Sequence, residues 1–400
     1  MERFALSRMK EWKENENRKP LIIRGARQVG KTWIMKTFGQ QYFEKTAYVN
    51  FDNNARMKQV FEGDLDIERL VLAISAETGV SIEAENTLII FDEVQEVPKA
   101  LTSLKYFYEN APQYAIVAAG SLLGVALHQG TSFPVGKVDF LDLYPLNFRE
   151  FLCAMGEKQF VSMLDSCDTQ MVTVFKTKYI ERLREYYFVG GMPEVVKDFS
   201  EKKDYNRVRA IQKNLINYYQ QDFSKHAEIK LVPRLNLVWN SIPMQLAKEN
   251  KKYIYGQVRE GSRAKDFELA IQWLLDCGLI HKVQRIQKPD LPLKAYIDFD
   301  AFKLFLVDIG LLIAMTDLDA KVIIEGNKIF TEFKGSLTEQ YILQQLISDV
   351  GVIPYYYSTQ NSKGEIDFLV QGKTSVIPIE VKAEENLKAK SLKAFCEKYQ

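Results

Sequence analysis

Residues Gly25-Ala26-Arg27-Gln28-Val29-Gly30-Lys31-Thr32 follow the pattern GxxxxGK[ST] and stand where a short apolar run, Leu21–Arg24, gives way to a helical pattern. In that setting the glycines let the backbone wrap until successive N–H groups face an anion, and the start of the helix adds its dipole. The chemistry is polyphosphate binding, with Lys31 bridging the β- and γ-phosphates and the Thr32 hydroxyl ligating Mg2+. Further on, Leu88-Ile89-Ile90-Phe91 carries Asp92 and Glu93 to the end of a second apolar run. Asp92 is placed to hold Mg2+ through water, and Glu93 to act as the base that polarises the attacking water. Acidic pairs are common alone, but joined to the loop they complete a nucleoside triphosphate site. Ser121 follows the next apolar run, Ala115–Ala119, either as a sensor of the γ-phosphate or as a plain strand terminator. Lys137 reads equally as a charge-stabilising group and as a solvated loop lysine. Arg149, Arg182 and Arg184 are available as fingers, but sequence alone assigns none of them.

A second constellation lies near the C-terminus, as Asp367-(x)12-Glu380-x-Lys382. Asp367 sits in the alternating stretch Glu365-Ile366-Asp367-Phe368-Leu369. The run Val376–Lys382 reads as a strand with Glu380 and Lys382 on one face. Hairpin pairing would bring Asp367 beside them, and Glu339 on the preceding helix would add a fourth ligand. Converging carboxylates hold Mg2+ or Mn2+, and a lysine orients or deprotonates water and offsets charge at a phosphodiester. Charged residues on an exposed strand face explain the same pattern.

These residues need a scaffold. Short runs, apolar on both faces, at Leu21–Arg24, Ala47–Phe51, Thr87–Phe91 and Ala115–Ala119 alternate with helical patterns at 65–77 and 99–109, the rhythm of a parallel sheet with crossover helices. Residues 1–150 are therefore expected to form one α/β domain. Residues 151–227 read as a helical, lid-like region broken at Gly190-Gly191-Met192-Pro193. That break is a helix terminator or a nucleotide-sensing segment. Residues 228–320 are expected to be a winged-helix-like unit, with helices at Ile242–Lys248 and Ser262–Cys277, a strand at His281–Ile286 and a loop through Pro289–Pro292. Ser262 would cap the second helix and expose Arg263 and Lys265. Residues 228–288 carry 11 Lys/Arg against 6 Asp/Glu, so DNA contact and packing between domains are both open. Residues 321–400 read as helix (Leu337–Ser348), strands at Pro354–Ser358, Glu365–Gln371 and Ser375–Val381, and a last helix; ten basic and ten acidic side chains give this segment no DNA-binding charge.

The whole chain holds 53 Lys/Arg and 52 Asp/Glu, so no overall field steers it to nucleic acid or an anionic membrane. With 46% hydrophobic residues and 26% charged, it is neither disordered nor fibrous. The four cysteines form no CxxC pair and the three histidines do not cluster, which argues against zinc and a disulfide framework. No signal peptide or membrane span is read, and the expected location is cytoplasmic.

The loop GARQVGKT, FDEVQ at 91–95, LYPLNFREF at 143–151 and GGMPE at 190–194 together resemble a family of prokaryotic AAA-type P-loop ATPases. These carry a C-terminal domain of unknown function with a restriction-endonuclease-like fold. SLTEQYI at 336–342, EIDFLV at 365–370 and PIEVKA at 378–383 look like that domain, in the residue order of PD-(D/E)xK nucleases, with a core expected to be truncated. The resemblance implies ATP rather than GTP, an extra strand between the loop strand and the Asp-Glu strand, and a winged helix in the middle. Relatives often have arginine where this chain has Lys137. The resulting expectation is an Mg-ATP-hydrolysing protein coupled to a nuclease-like domain acting on DNA, as a monomer or homo-oligomer. The alternative is a nucleotide-gated interaction protein whose nuclease-like fold is inert.

Overall fold

A strand buried on both faces can be apolar throughout, and the inner strands of the first 144 residues are of this kind. The computed structural model describes residues 1–120, 134–248, 251–325, 331–359, 364–383 and 389–399. The chain divides into two units, Glu2–Tyr144 and Pro145–Gln400.

In the first unit the order is α1 (Ala5–Glu14), β1 (Leu21–Arg24), α2 (Lys31–Tyr42), β2 (Lys45–Asn50), α3 (Ala55–Glu62), α4 (Ile67–Thr78), β3 (Thr87–Asp92), α5 (Pro98–Asn110), β4 (Ala115–Ala119) and β5 (Asp139–Asp142). The five strands form a parallel sheet in the order β2-β3-β4-β1-β5. Thus β4 separates the loop strand from the Asp-Glu strand, as the resemblance implied. Every residue of β3 is buried. Phe91 on that strand meets Phe51 and Phe61 edge-on, with ring centroids 5.4 and 5.6 Å apart. Burying each ring contributes about 2–3 kcal/mol. Strand β5 did not show in the sequence because DFLD carries too few apolar residues to form a run.

The second unit begins with α6 (Phe148–Ala154), α7 (Lys158–Asp165), α8 (Thr169–Val174), α9 (Lys176–Val189), α10 (Pro193–Lys202) and α11 (Tyr205–His226). Then come α12 (Val232–Leu246), α13 (Tyr255–Val258), α14 (Ala264–Asp276), β6 (Ile280–Ile286), β7 (Ile297–Leu306), α15 (Ile309–Met315) and α16 (Ala320–Ile324). The last elements are α17 (Thr331–Gln345), closed by a π turn at Leu346–Val350, then β8 (Tyr355–Ser358), β9 (Glu365–Gln371), β10 (Val376–Ile379) and α18 (Lys390–Tyr399). Helix α12 starts ten residues before the Ile242 expected from the pattern, because its first turns alternate polar and apolar residues. Helix α14 is entered at Arg263, whose backbone N–H donates to Asp266 Oδ2 at 2.8 Å, so Ser262 is not its cap.

The main difference from the sequence pattern is β7, a strand that the pattern does not place. It pairs antiparallel with β6, and β6 pairs parallel with β8, giving one mixed sheet in the order β10-β9-β8-β6-β7. The segment 280–306 and the last strands of the chain therefore share a single sheet.

The Gly190-Gly191 break is a packing node. A Cβ on Gly191 would lie 2.1 Å from the Leu146 carbonyl oxygen, so only glycine fits. The Gly191 N–H donates to Asp308 Oδ2 at 2.6 Å, and that carboxylate also accepts from Leu311 N and Gln344 Nε2 at 3.1 and 3.2 Å. Burial pushes the Asp308 carboxyl up to about 6, with these hydrogen bonds pulling the other way.

Candidate functional site

Strand β1 delivers the chain to Gly25, whose φ is 148°. A Cβ there would meet the Leu143 carbonyl oxygen at 2.1 Å, so the turn requires glycine. The loop closes at Gly30, which takes the left-handed conformation (φ 95°) and starts α2. Lys31 is buried, and its ammonium donates to the carbonyl oxygens of Gly25 at 2.9 Å and Ala26 at 2.8 Å. Burial pulls this lysine down to about 8, while Glu93 and Asp92 act in the opposite sense. Ala26, Arg27, Gln28 and Val29 form the arch between the two glycines.

The Thr32 hydroxyl donates to Asp92 Oδ2 at 2.7 Å across sixty residues of sequence. Tyr48, on the neighbouring strand β2, donates to the same oxygen at 2.9 Å. Asp92 Oδ1 accepts the backbone N–H of Glu93 at 3.1 Å. Glu93 stands just past β3 in the left-handed region (φ 51°), and Gln95 Nε2 donates to its Oε2 at 2.6 Å. Just ahead of helix α1, Arg3 is buried and donates from Nη1 to the Val29 carbonyl at 3.0 Å. Thr32 and Asp92 offer hard oxygen donors, the kind Mg2+ prefers, with the Lys31 ammonium in the same loop.

The structure thus brings Gly25–Thr32, Asp92 and Glu93 together. Ser121 lies outside the described residues. Lys137 pairs with Glu109 at 3.0 Å, beside the Tyr108 ring. Arg149 pairs with Asp165 and Asp349, Arg182 with Glu157 and Glu185, and Arg184 donates to the Ile324 carbonyl. Arg3, Tyr48 and Gln95 were missed because single residues of common type carry no spacing signal.

At the C-terminal constellation, β10 ends at Ile379, so Glu380 and Lys382 lie past the strand rather than on its face. They pair with each other at 2.6 Å. Asp367 does reach this segment, since its Oδ2 accepts the Val381 N–H at 2.7 Å. Burial and the neighbouring charge of Glu339 push the Asp367 carboxyl up to about 7. Two lysines from outside the motif enter. Lys303 of β7, wholly buried, binds Glu365 at 2.5 Å and faces Glu339 at 3.5 Å, while Lys251 pairs with the other oxygen of Glu339. The lysine within the apolar run of β7, AFKLFL, was the one available signal. Glu339 Oε2 and Glu380 Oε2 make no hydrogen bond among the described residues. Hard, unbonded carboxylate oxygens suit a divalent cation, yet among the described residues no three His, Cys, Asp or Glu side chains stand close enough to hold one.

A five-stranded parallel sheet with the phosphate loop after β1 and the acidic pair at the end of β3 is the arrangement of a P-loop nucleoside triphosphate domain. Residues 17–152 match the family model described as an AAA domain. Residues 180–322 and 334–400 match two domains of unknown function, DUF8612 and DUF4143. No curated protein is detectably similar in sequence. Among solved structures, a Walker-type ATPase of Pyrococcus abyssi is similar at 15% identity and a TM-score of 0.48, covering 79% of this chain and 95% of that one. The Aeropyrum pernix ORC1 protein in complex with DNA is similar at 12% identity and 0.28, covering 78% and 91%. Cdc6p from Pyrobaculum aerophilum is similar at 11% and 0.27, covering 80% and 93%. No helix among the described residues is long and apolar enough to cross a membrane.

Proposed function

We propose that the chain binds Mg-ATP at Gly25–Thr32 and hydrolyses it. The observation that carries this is the Thr32–Asp92 hydrogen bond, which sets the hydroxyl and carboxylate side by side at the mouth of the loop. Lys31 would leave the Gly25 and Ala26 carbonyls to meet the β- and γ-phosphates. Thr32 and Asp92 would hold Mg2+, which supplies charge neutralisation at the phosphates. Glu93 would orient and deprotonate the attacking water, with Gln95 fixing its carboxylate. Titration with ATP tests the assignment: Lys31→Ala should abolish binding, and retained affinity in that variant refutes it.

The second unit has two readings. In one, Arg263 and Lys265 contact DNA at the start of α14, ahead of the β6–β7 pair. In the same reading, at the C-terminal constellation, Asp367, Glu380 and Glu339 would have to draw together to hold Mg2+ or Mn2+, and Lys382 would serve the water of a nuclease-like site. In the other, ATP sets the conformation of an interaction protein and the C-terminal fold is inert. The lysines already facing Glu339 and Glu380 favour the second. Plasmid, linear DNA and RNA incubated with Mg2+ or Mn2+, with and without ATP, separate them. Cleavage lost in Glu380→Ala/Lys382→Ala establishes the first reading; none, with ATP turnover intact, establishes the second. Unchanged duplex affinity in Arg263→Ala/Lys265→Ala at low salt removes DNA contact by α14.

A further inference from the structure

We propose that Tyr48 is a positioning residue for the metal-holding carboxylate Asp92, an inference that rests on the Mg-ATP reading above. Asp92 Oδ2 accepts two hydroxyl donors, Thr32 at 2.7 Å and Tyr48 at 2.9 Å. The two partners have different tasks. The Thr32 hydroxyl would offer a lone pair to Mg2+ while its proton can still point at Asp92, so it would serve metal and carboxylate together. Tyr48 has no metal to ligate and serves the carboxylate alone.

The phenol is built for this. It stands on β2, in register beside β3, where Asn50 pairs with Asp92 itself. Lys36 of α2 lies over the ring, its Nζ 3.8 Å from the centroid, and pins it between helix and sheet. With Oδ1 bonded to the Glu93 N–H, the Tyr48 bond also fixes how Glu93 leaves the strand. A carboxylate free to rotate would present Mg2+ with several orientations, of which one serves; the phenol selects it.

The test is Tyr48→Phe, which keeps the ring and removes the donor. Nucleotide affinity in EDTA and the melting temperature should match wild type, while the Mg2+ concentration giving half-maximal ATP turnover rises about tenfold, as expected for one lost hydrogen bond to a charged group. An unchanged Mg2+ requirement overturns the proposal. So does an equal loss of nucleotide affinity in EDTA, which marks a merely structural ring. Paramagnetic titration of Mn2+ with ADP reads the same site without turnover. If wild type fails to hydrolyse ATP, the hydrolysis reading falls, while weaker Mn2+ binding in Tyr48→Phe still supports Tyr48 and equal binding overturns it.

Discussion

Arg3 and Val29 are joined across the fold: the Arg3 guanidinium, on the first residues of the chain, donates to the Val29 carbonyl inside the phosphate loop at 3.0 Å. Its other arm donates to the Tyr144 carbonyl at 2.6 Å. One planar fork therefore holds the loop against the end of the unit's last strand, a geometry a lysine cannot reproduce. Arg3→Ala strands two carbonyls and should destabilise the first unit by about 1.5–3 kcal/mol, with Arg3→Lys recovering only part. Urea unfolding of the three proteins checks this, and equal stability would refute the strut.

Lys31 makes nucleotide affinity pH-dependent with a definite sign. Its ordinary value of 10.5 falls to about 8 in the protein. The free site therefore loses the lysine charge as pH rises through 8, and a bound triphosphate restores it. Affinity should be steady below that pH and weaken toward about tenfold per unit above it, with a proton taken up on binding. Calorimetry at pH 8.5 in buffers of different ionisation enthalpy measures that uptake directly.

Glu93→Gln keeps the size of the side chain and removes the base. ATP affinity should stay within about threefold of wild type, and turnover should fall by about 10²–10⁴. A mutant that still turns over at a tenth of the wild-type rate would move the base elsewhere.

Asp308 gives the second unit its own pH signature. A carboxyl raised from 3.8 to about 6 is bound more tightly by a proton in the folded state. Its stabilising contribution is full below about pH 4 and is lost as pH rises through 6. Asp308→Asn turns an amide toward the Gly191 N–H and is destabilising at every pH. The cost relative to wild type should nevertheless shrink by about 2–3 kcal/mol between pH 4 and pH 7. A cost independent of pH would show that Asp308 does not titrate there.

The loop and the acidic pair were legible because their chemistry is local. Eight consecutive residues make the phosphate cradle, and Asp92-Glu93 follow a strand that announces itself by four apolar residues. What escaped was set by distance. Tyr48 and Arg3 reach the site through the pairing of β2 with β3 and the packing of the N-terminal segment, which no spacing encodes. At the C-terminal constellation, hairpin pairing was expected to bring Asp367 beside Glu380 and Lys382, and Asp367 accepts the N–H of Val381 between them. The strand ended early, however, and Glu380 and Lys382 fell into the segment after it. Lys303 was invisible as a partner because β7 itself went unread, and the sheet joining it to β9 depends on β6 and β8 meeting about seventy residues apart.

That meeting of β6 with β8 bears on how the chain is made. Strand β6 receives β7 from the next stretch of chain, but its other edge waits for Tyr356 and Tyr357. During synthesis the open edge, with its unpaired N–H and carbonyl groups, is exposed until that distant segment arrives. The first unit has all of its strands by residue 142 and can close its sheet early. A ribosome-bound chain halted near residue 330 should therefore carry a folded nucleotide domain and an unfinished, adhesive second unit, the stage at which chaperone capture or mispairing with a neighbouring chain is most favoured.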